Sequence, residues 1–122
     1  MSPNQVTSAL AREKELLEQV LTLAECQLEL LESGRADDLE ILLSLREAPL
    51  SEVAFIEESV EVEVSQMQND PTVPTSILNE LQSLNLEILS LSDRIVELDE
   101  RAEYLADEYE HCMSREDRHP IL

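Results

Sequence analysis

The most regular pattern of apolar and polar positions lies in the C-terminal half of the chain. Apolar side chains recur there at alternating intervals of four and three residues, over about five heptads. Such spacing is typical of a helix packed along its length on another helix, so it predicts a coiled-coil helix, helix 3, over residues 76–112. The seam consists of Ile77, Leu81, Leu84, Ile88, Leu91, Ile95, Leu98, Ala102, Leu105, Tyr109 and Cys112.

Two adjacent apolar rows predict helix 1 over residues 3–33. Ser2 is the expected N-cap, with Pro3 at the first helical position and Gln5 at the capping-box position. Gly34, the only glycine, can take the left-handed conformation that ends a helix. Because two rows make a wide apolar face, we expect helix 1 to contact both other helices. The rows are Leu17, Leu21, Ala24, Leu28 and Leu31, and Leu16, Val20, Leu23 and Leu30.

Helix 2 is predicted over residues 37–68, with Asp37 as N-cap and Glu40 three residues later. Pro49 lacks an amide hydrogen and crowds the preceding turn, so we expect a kink near it. The stretch EESVEVEVSQM, residues 57–67, alternates like a β-strand, but no other strand is predicted to pair with it. On helical spacing its apolar residues continue one stripe, so we predict helix here too. The stripe is Val53, Val60, Val64 and Met67, with Phe55 and Ile56 alongside.

The connections between these segments indicate the fold. Residues 69–75, NDPTVPT, form a linker with two prolines, Thr75 is the expected cap of helix 3, and residues 113–122 are predicted to be a frayed tail. We therefore predict a single all-α domain over residues 1–122, an elongated antiparallel three-helix bundle or coiled coil with up-down-up order. The alternative is a helical hairpin whose helix 3 is partly detached or swapped between chains.

Composition and charge narrow the function. The 122 residues carry 28 acidic and 8 basic side chains, a net charge of −20, which counts against nucleic acid and anionic membranes as partners. The acidity fits either a basic or polar partner or an acidic proteome. No apolar run approaches the roughly 20 residues of a membrane span, and the N-terminus lacks a signal-peptide pattern. We expect a cytoplasmic protein with reduced thiols.

Candidate chemistry is sparse. A single glycine leaves no glycine-rich phosphate loop, and the carboxylates lack the spacing of a catalytic or calcium site. Glu108 and His111, like Glu116 and His119, form Glu-x-x-His pairs, but both pairs fall within twelve residues at one end and are expected to be solvated. Cys26 and Cys112 are predicted to be small buried apolar residues. We expect no enzymatic activity, no cofactor and no metal.

Several apolar residues of helix 3 lie off its seam, and two interpretations of them stay open. They can contact helix 2 inside the bundle, or they can form part of an open groove that accepts a partner's amphipathic helix. The two interpretations are compatible if the bundle opens. The residues are Leu86, Leu89, Val96 and Tyr104.

Residues 30–53, LLESGRADDLEILLSLREAPLSEV, resemble the helix-turn-helix of the FlgN-like flagellar export chaperones. In that family a leucine-rich helix ends in a turn with Gly and Asp, and the next helix opens with a DLE-x-LL-x-x-x-R pattern. Size, acidity and a long amphipathic C-terminal helix extend the resemblance over nearly the whole chain, although Pro49 departs from it. The matching positions are Leu30, Leu31, Gly34, Asp38, Leu39, Leu42, Leu43 and Arg46.

The resemblance implies a cytoplasmic type III export chaperone that binds the amphipathic helical ends of hook-associated proteins and prevents their premature assembly. The C-terminal helix, about residues 86–109, would then bind the client. The alternative is a structural coiled-coil or adaptor protein without a client, whose helix 3 seam drives formation of a homodimer or larger homo-oligomer. In the chaperone hypothesis the binding residues are Leu86, Leu89, Val96 and Tyr104.

Overall fold

The computed structural model describes residues 1–117, except the side chains of residues 36, 109 and 111–117. It consists of three α-helices, α1 (Pro3–Glu32), α2 (Leu39–Gln68) and α3 (Thr75–Asp117), with one turn of 3₁₀-helix at Ala36–Asp38. No strand occurs within this part of the chain. The predicted all-α class and three-helix bundle are confirmed.

Ion pairs along α1 establish the up-down-up order. Lys14 of α1 contacts Glu87 of α3 at 2.9 Å, and further along both helices Glu32 of α1 contacts Arg101 of α3 at 3.6 Å. Helices α1 and α3 therefore run in the same direction, and α2, which lies between them in sequence, runs in the opposite direction. At 1.5 Å per residue, α3 is about 65 Å long, so the bundle is elongated.

Both ends of α1 form as their residues predict. The Ser2 hydroxyl accepts a hydrogen bond from the Gln5 amide at 3.3 Å, and the Gln5 side chain accepts one from the Ser2 amide at 2.8 Å. At the other end Gly34 has a φ of +74°. The amides of Gly34 and Arg35 donate to the carbonyls of Leu31 and Leu30, the two bonds of a Schellman motif.

The start of α2 differs from the prediction. Asp37 lies inside the 3₁₀ turn, and Asp38 occupies the N-cap position without a side-chain hydrogen bond to the first turn. The reason is its backbone: φ −93° and ψ 0° are not the extended conformation that brings a capping oxygen over the helix end. Beyond this point α2 is continuous through Pro49 and through the alternating stretch 57–67, whose predicted helical structure is confirmed.

The bounds of α3 also differ from those predicted. The helix begins at Thr75 itself, since the Pro74 carbonyl accepts hydrogen bonds from the Ile77 and Leu78 amides, so Thr75 is not the cap. It then continues to Asp117, through residues that were predicted to be a frayed tail. Residues 113–117, MSRED, contain no helix breaker, which explains the extension. The rest of the predicted tail, residues 118–122, lies outside the described part of the chain.

The core lies on both sides of α1. Helix α1 packs along α2 and along α3, whereas α2 and α3 approach each other much less closely. The seam of α3 faces α1, so the residues predicted to drive coiled-coil pairing are already covered within one chain. The buried seam residues are Leu81, Ile88, Ile95, Leu98 and Ala102, with Ile77, Leu84, Leu91 and Leu105 partly buried.

The cysteines do not both follow the prediction. Cys26 is exposed and free, because it lies between the positions of α1 that face the core, where Ala24 and Leu28 are buried. The side chains of Cys112 and Tyr109, the last two predicted seam residues, lie outside the described residues. Among the helices as described, none combines the length and the apolar character needed to cross a membrane.

Candidate functional site: a cleft between α2 and α3

A cleft separates α2 from α3 because each helix packs on α1 rather than closely on the other. Its wider part, which we call the main cleft, has a volume of about 900 Å³. Leu10 and Glu13 of α1 form its floor. The α2 wall consists of Glu57, Val60, Glu61, Val64 and Gln68, and the α3 wall of Leu78, Leu81, Gln82, Asn85, Leu86, Ile88, Leu89 and Ser92.

The apolar part of the main cleft lies mainly on α3, where five of the eight wall residues are aliphatic, against two of five on α2. Val60, Leu81 and Ile88 belong to the core and border the open space. Leu86 and Leu89 form the α3 rim, where much of their surface meets solvent. The bundle therefore leaves a strip of aliphatic surface uncovered beside its own core.

Glu13 is the unusual residue of the floor. Only 3% of its surface is exposed, and its Oε1 atom has no hydrogen-bond partner among the described residues. Burial, with a smaller contribution from the nearby Glu57 carboxylate, raises the pKa of Glu13 to about 7. At neutral pH this carboxyl group therefore holds a proton much more readily than an exposed glutamate does.

The spacing of apolar residues in the sequence places Glu13 at a core position of α1. Leu10, Glu13, Leu17 and Val20 follow one another at intervals of three and four residues, so they share one face of α1. All four residues of this row are buried, and Glu13 is the only one that is not apolar. A charged residue at a core position of a helix indicates either a buried partner or a functional site.

Arg46 and Asp99 connect α2 to α3 across the cleft. The guanidinium group donates to both carboxylate oxygens of Asp99, at 2.8 and 2.7 Å, and to Oε1 of Gln27 in α1 at 3.0 Å. The pair lines a second, smaller cleft of about 440 Å³, formed by the opposite ends of the same two helices. The other residues lining the second cleft include Leu31, Leu39, Leu43, Leu50, Ala102 and Ala106.

The four predicted partner-binding residues are all on the surface, so the interpretation that they contact helix 2 inside the bundle is wrong. Leu86 and Leu89 line the main cleft, whereas Val96 and Tyr104 line neither cleft. Val96 lies two turns beyond Leu89 on the same face of α3. Their exposed fractions are 60% for Leu86, 53% for Leu89, 53% for Val96 and 63% for Tyr104.

A metal site is not assembled by the side chains that the structure describes, since they contain no group of three or more potential ligands. The two Glu-x-x-His pairs are predicted to be solvated, but three of their four residues have no described side chain. Glu116 and both histidines lie outside the described side chains. Of these pairs only Glu108 is described, and it is exposed. The neighbouring Glu108 carboxylate raises the pKa of Tyr104.

The electrostatic character of the main cleft is acidic. Glu13, Glu57 and Glu61 line it, and no lysine or arginine of the described residues does so. A ligand with basic groups would complement this charge. Comparison of the chain with protein-family models, with curated proteins and with solved structures finds no match, so the ligand has to be inferred from the cleft itself.

Proposed function

We propose that this protein binds an amphipathic helix of a client protein in the main cleft and acts as a cytoplasmic export chaperone for flagellar hook-associated proteins. The observation that carries the proposal is the cleft: two helices form its walls over a third, and aliphatic side chains of both line it. A client helix laid between α2 and α3 would occupy the fourth position of a four-helix bundle. It would cover the apolar rim, as in other helix-in-groove complexes.

The length and chemistry of the cleft suit a helix. Along α3 the lining residues extend from Leu78 to Ser92, which corresponds to about 20 Å, or four helical turns. Leu86 and Leu89 are about half exposed, so covering both would contribute about 1 kcal/mol each. Binding in the micromolar range corresponds to about 8 kcal/mol, so most of it would have to come from the apolar face of the client helix itself, because Val60 and Ile88 are already buried.

The class of client is suggested by the resemblance of residues 30–53 to the FlgN-like chaperones. The ends of hook-associated proteins are amphipathic segments that pack on their neighbours during assembly. A chaperone that covers the apolar face of such a segment would prevent this packing until export. The proposal is of a binding protein rather than an enzyme.

The alternative, a structural coiled coil without a client, receives less support. In that hypothesis the α3 seam is satisfied by other copies of the chain. In this structure the seam is buried against α1, so assembly through it would require α3 to leave its own bundle. Two chains with a net charge of −20 each would also repel one another.

The proposal is tested with two matched double variants and purified hook-associated proteins from the same organism. Leu86→Glu with Leu89→Glu places two charges on the cleft rim, where they oppose an apolar helix and add to the acidity. Phe55→Glu with Val62→Glu makes the same change at residues that are 69% and 62% exposed but line neither cleft. We expect calorimetry to show at least tenfold weaker client binding for the first pair and little change for the second.

Circular dichroism controls for folding, and both double variants should keep the helicity of the parent protein. Equal client binding by both variants and the parent would overturn the cleft as the docking site. Val96→Glu provides a further comparison, because Val96 is as exposed as Leu89. If Val96→Glu weakened binding while the Leu86–Leu89 pair did not, the client would bind further along α3, beyond the main cleft, instead.

A further inference from the structure

Glu13 is the feature of the main cleft that apolar docking leaves unexplained. Its carboxyl group lies in the floor, buried and without a hydrogen bond to Oε1. The two cations next to it in sequence are engaged elsewhere. The Arg12 guanidinium contacts Glu52 at 3.1 Å, and the Lys14 ammonium contacts Glu87 at 2.9 Å.

An unpaired carboxylate in such a place is unfavourable, because burial removes its hydration and nothing in the fold replaces it. Proteins relieve this either by keeping the group protonated or by supplying a positively charged partner. Burial raises the pKa of the Glu13 carboxyl group to about 7, so the chain alone relieves the cost in part by protonation. A cation that enters the cleft would favour the ionised form.

We propose that the main cleft selects a client helix that carries a lysine or arginine within its apolar face, and that this side chain pairs with Glu13. The inference rests on the proposed function and specifies which helices the cleft accepts. Glu57 and Glu61 line the α2 side of the cleft, and they would receive further basic residues that flank the apolar face. Charge complementarity therefore favours a basic amphipathic helix as the occupant of the main cleft.

The position of Glu13 also specifies where the cation must lie. Leu10 shares the floor with it, while Leu81 and Ile88 line the α3 wall of the same cleft. The cation therefore has apolar neighbours one turn before and one turn after it on the client helix. A second copy of this chain is a poor occupant, since it would bring a net charge of −20 to an acidic cleft.

A display library tests this inference without knowledge of the natural client. The library presents amphipathic helices of about 18 residues, long enough for the four turns of the cleft, with one central position of the apolar face fully randomised. Selection is carried out on the parent protein and on Glu13→Gln. We expect lysine and arginine to be enriched at that position with the parent protein, and leucine or other uncharged residues with the variant.

Affinities of one selected helix then quantify the preference. With lysine at the central position, the helix should bind the parent protein at least tenfold more tightly than the same helix with glutamine. On Glu13→Gln the ratio should fall to about one. The glutamine side chain keeps the size of Glu13, so folding of the variant is expected and is verified by its helicity.

The outcomes distinguish the two proposals. Helices that bind the parent protein and fail on Leu86→Glu with Leu89→Glu, but show no preference for a cation, would overturn the role of Glu13 and leave the cleft as a docking site. If no helix binds, or if binding survives on that double variant, both proposals are overturned.

Discussion

Glu13 shows how one side chain can link folding stability to pH. Its pKa of about 7 in the folded protein lies above the ordinary value of 4.5. Between these values the unfolded chain loses this proton while the folded protein retains it. Stability therefore falls as the pH rises from about 4.5 to about 7, and no further loss from Glu13 is expected above that range.

We predict that Glu13→Gln removes this pH dependence. The variant should be more stable than the parent protein at pH 8, by about 2 kcal/mol, because solvent in the open cleft screens part of the effect that the pKa implies. Urea unfolding of both proteins from pH 4 to pH 8 measures the difference in their free energies of unfolding. Because both proteins share the general repulsion among the acidic residues, its effect cancels in this difference. A constant difference across this range would contradict the placement of Glu13 in the floor.

Gly34 is a second residue with a predictable effect. Its φ of +74° is unfavourable for residues with a Cβ atom, although no other atom lies within 4 Å of the position that a Cβ would take. Gly34→Ala should therefore destabilise the protein by about 1 kcal/mol through backbone conformation alone. Gly34→Asn should destabilise the protein less than Gly34→Ala, because asparagine adopts a positive φ more readily than alanine does. Thermal unfolding measures both, and equal stability of Gly34→Ala and the parent protein would contradict the observed turn.

At the scale of the elements, the Arg46–Asp99 pair is the main polar connection between α2 and α3. Arg46 is buried and makes three hydrogen bonds, whereas Asp99 is partly open to solvent. Because the two helices approach each other little, this pair bridges the space between them in the second cleft.

We predict that Arg46→Ala destabilises the protein by about 2 kcal/mol, the range for charge-assisted hydrogen bonds. Arg94→Ala is the matched control. Its guanidinium contacts Glu97 only within α3, at 3.3 Å and largely exposed, so its loss should change stability little. Chemical denaturation measures the free energy of unfolding of both variants. If Arg46→Ala changed it as little as Arg94→Ala, the connection between α2 and α3 would contribute nothing to stability.

Much of each element could be predicted from local chemistry. The capping box of Ser2, the turn at Gly34 and the seam of α3 are set by residues close together in sequence, and the structure contains all three. The cap of α2 could not be predicted, because it depends on how the chain leaves the Schellman turn before Asp38. The C-terminal end of α3 was harder to predict, because residues 113–117 are mostly polar although none of them breaks a helix.

The binding surface was only partly predictable. Periodicity separates Leu86 and Leu89 from the seam, but it does not show whether a neighbouring helix covers them. That depends on the distance between α2 and α3, which is a property of tertiary packing. Glu13 breaks an apolar row in the sequence, yet its burial becomes evident only when α2 and α3 are in place.

At the scale of the whole molecule, the arrangement is that of a bundle with one vacant position. Helix α1 supplies the core contacts for both neighbours, and the side of the bundle opposite α1 remains open between them. Such a molecule can be folded as a monomer and still present a groove. We therefore predict a stable single chain whose cleft is completed by a partner.

The most direct measurement is the solution mass by light scattering, for the protein alone and mixed with each hook-associated protein. The account predicts a monomer of 13.9 kDa that forms one defined complex with a client, and loss of that complex in Leu86→Glu with Leu89→Glu but not in Phe55→Glu with Val62→Glu. A concentration-independent oligomer that ignores every candidate would contradict it, and would indicate that α3 assembles with copies of itself.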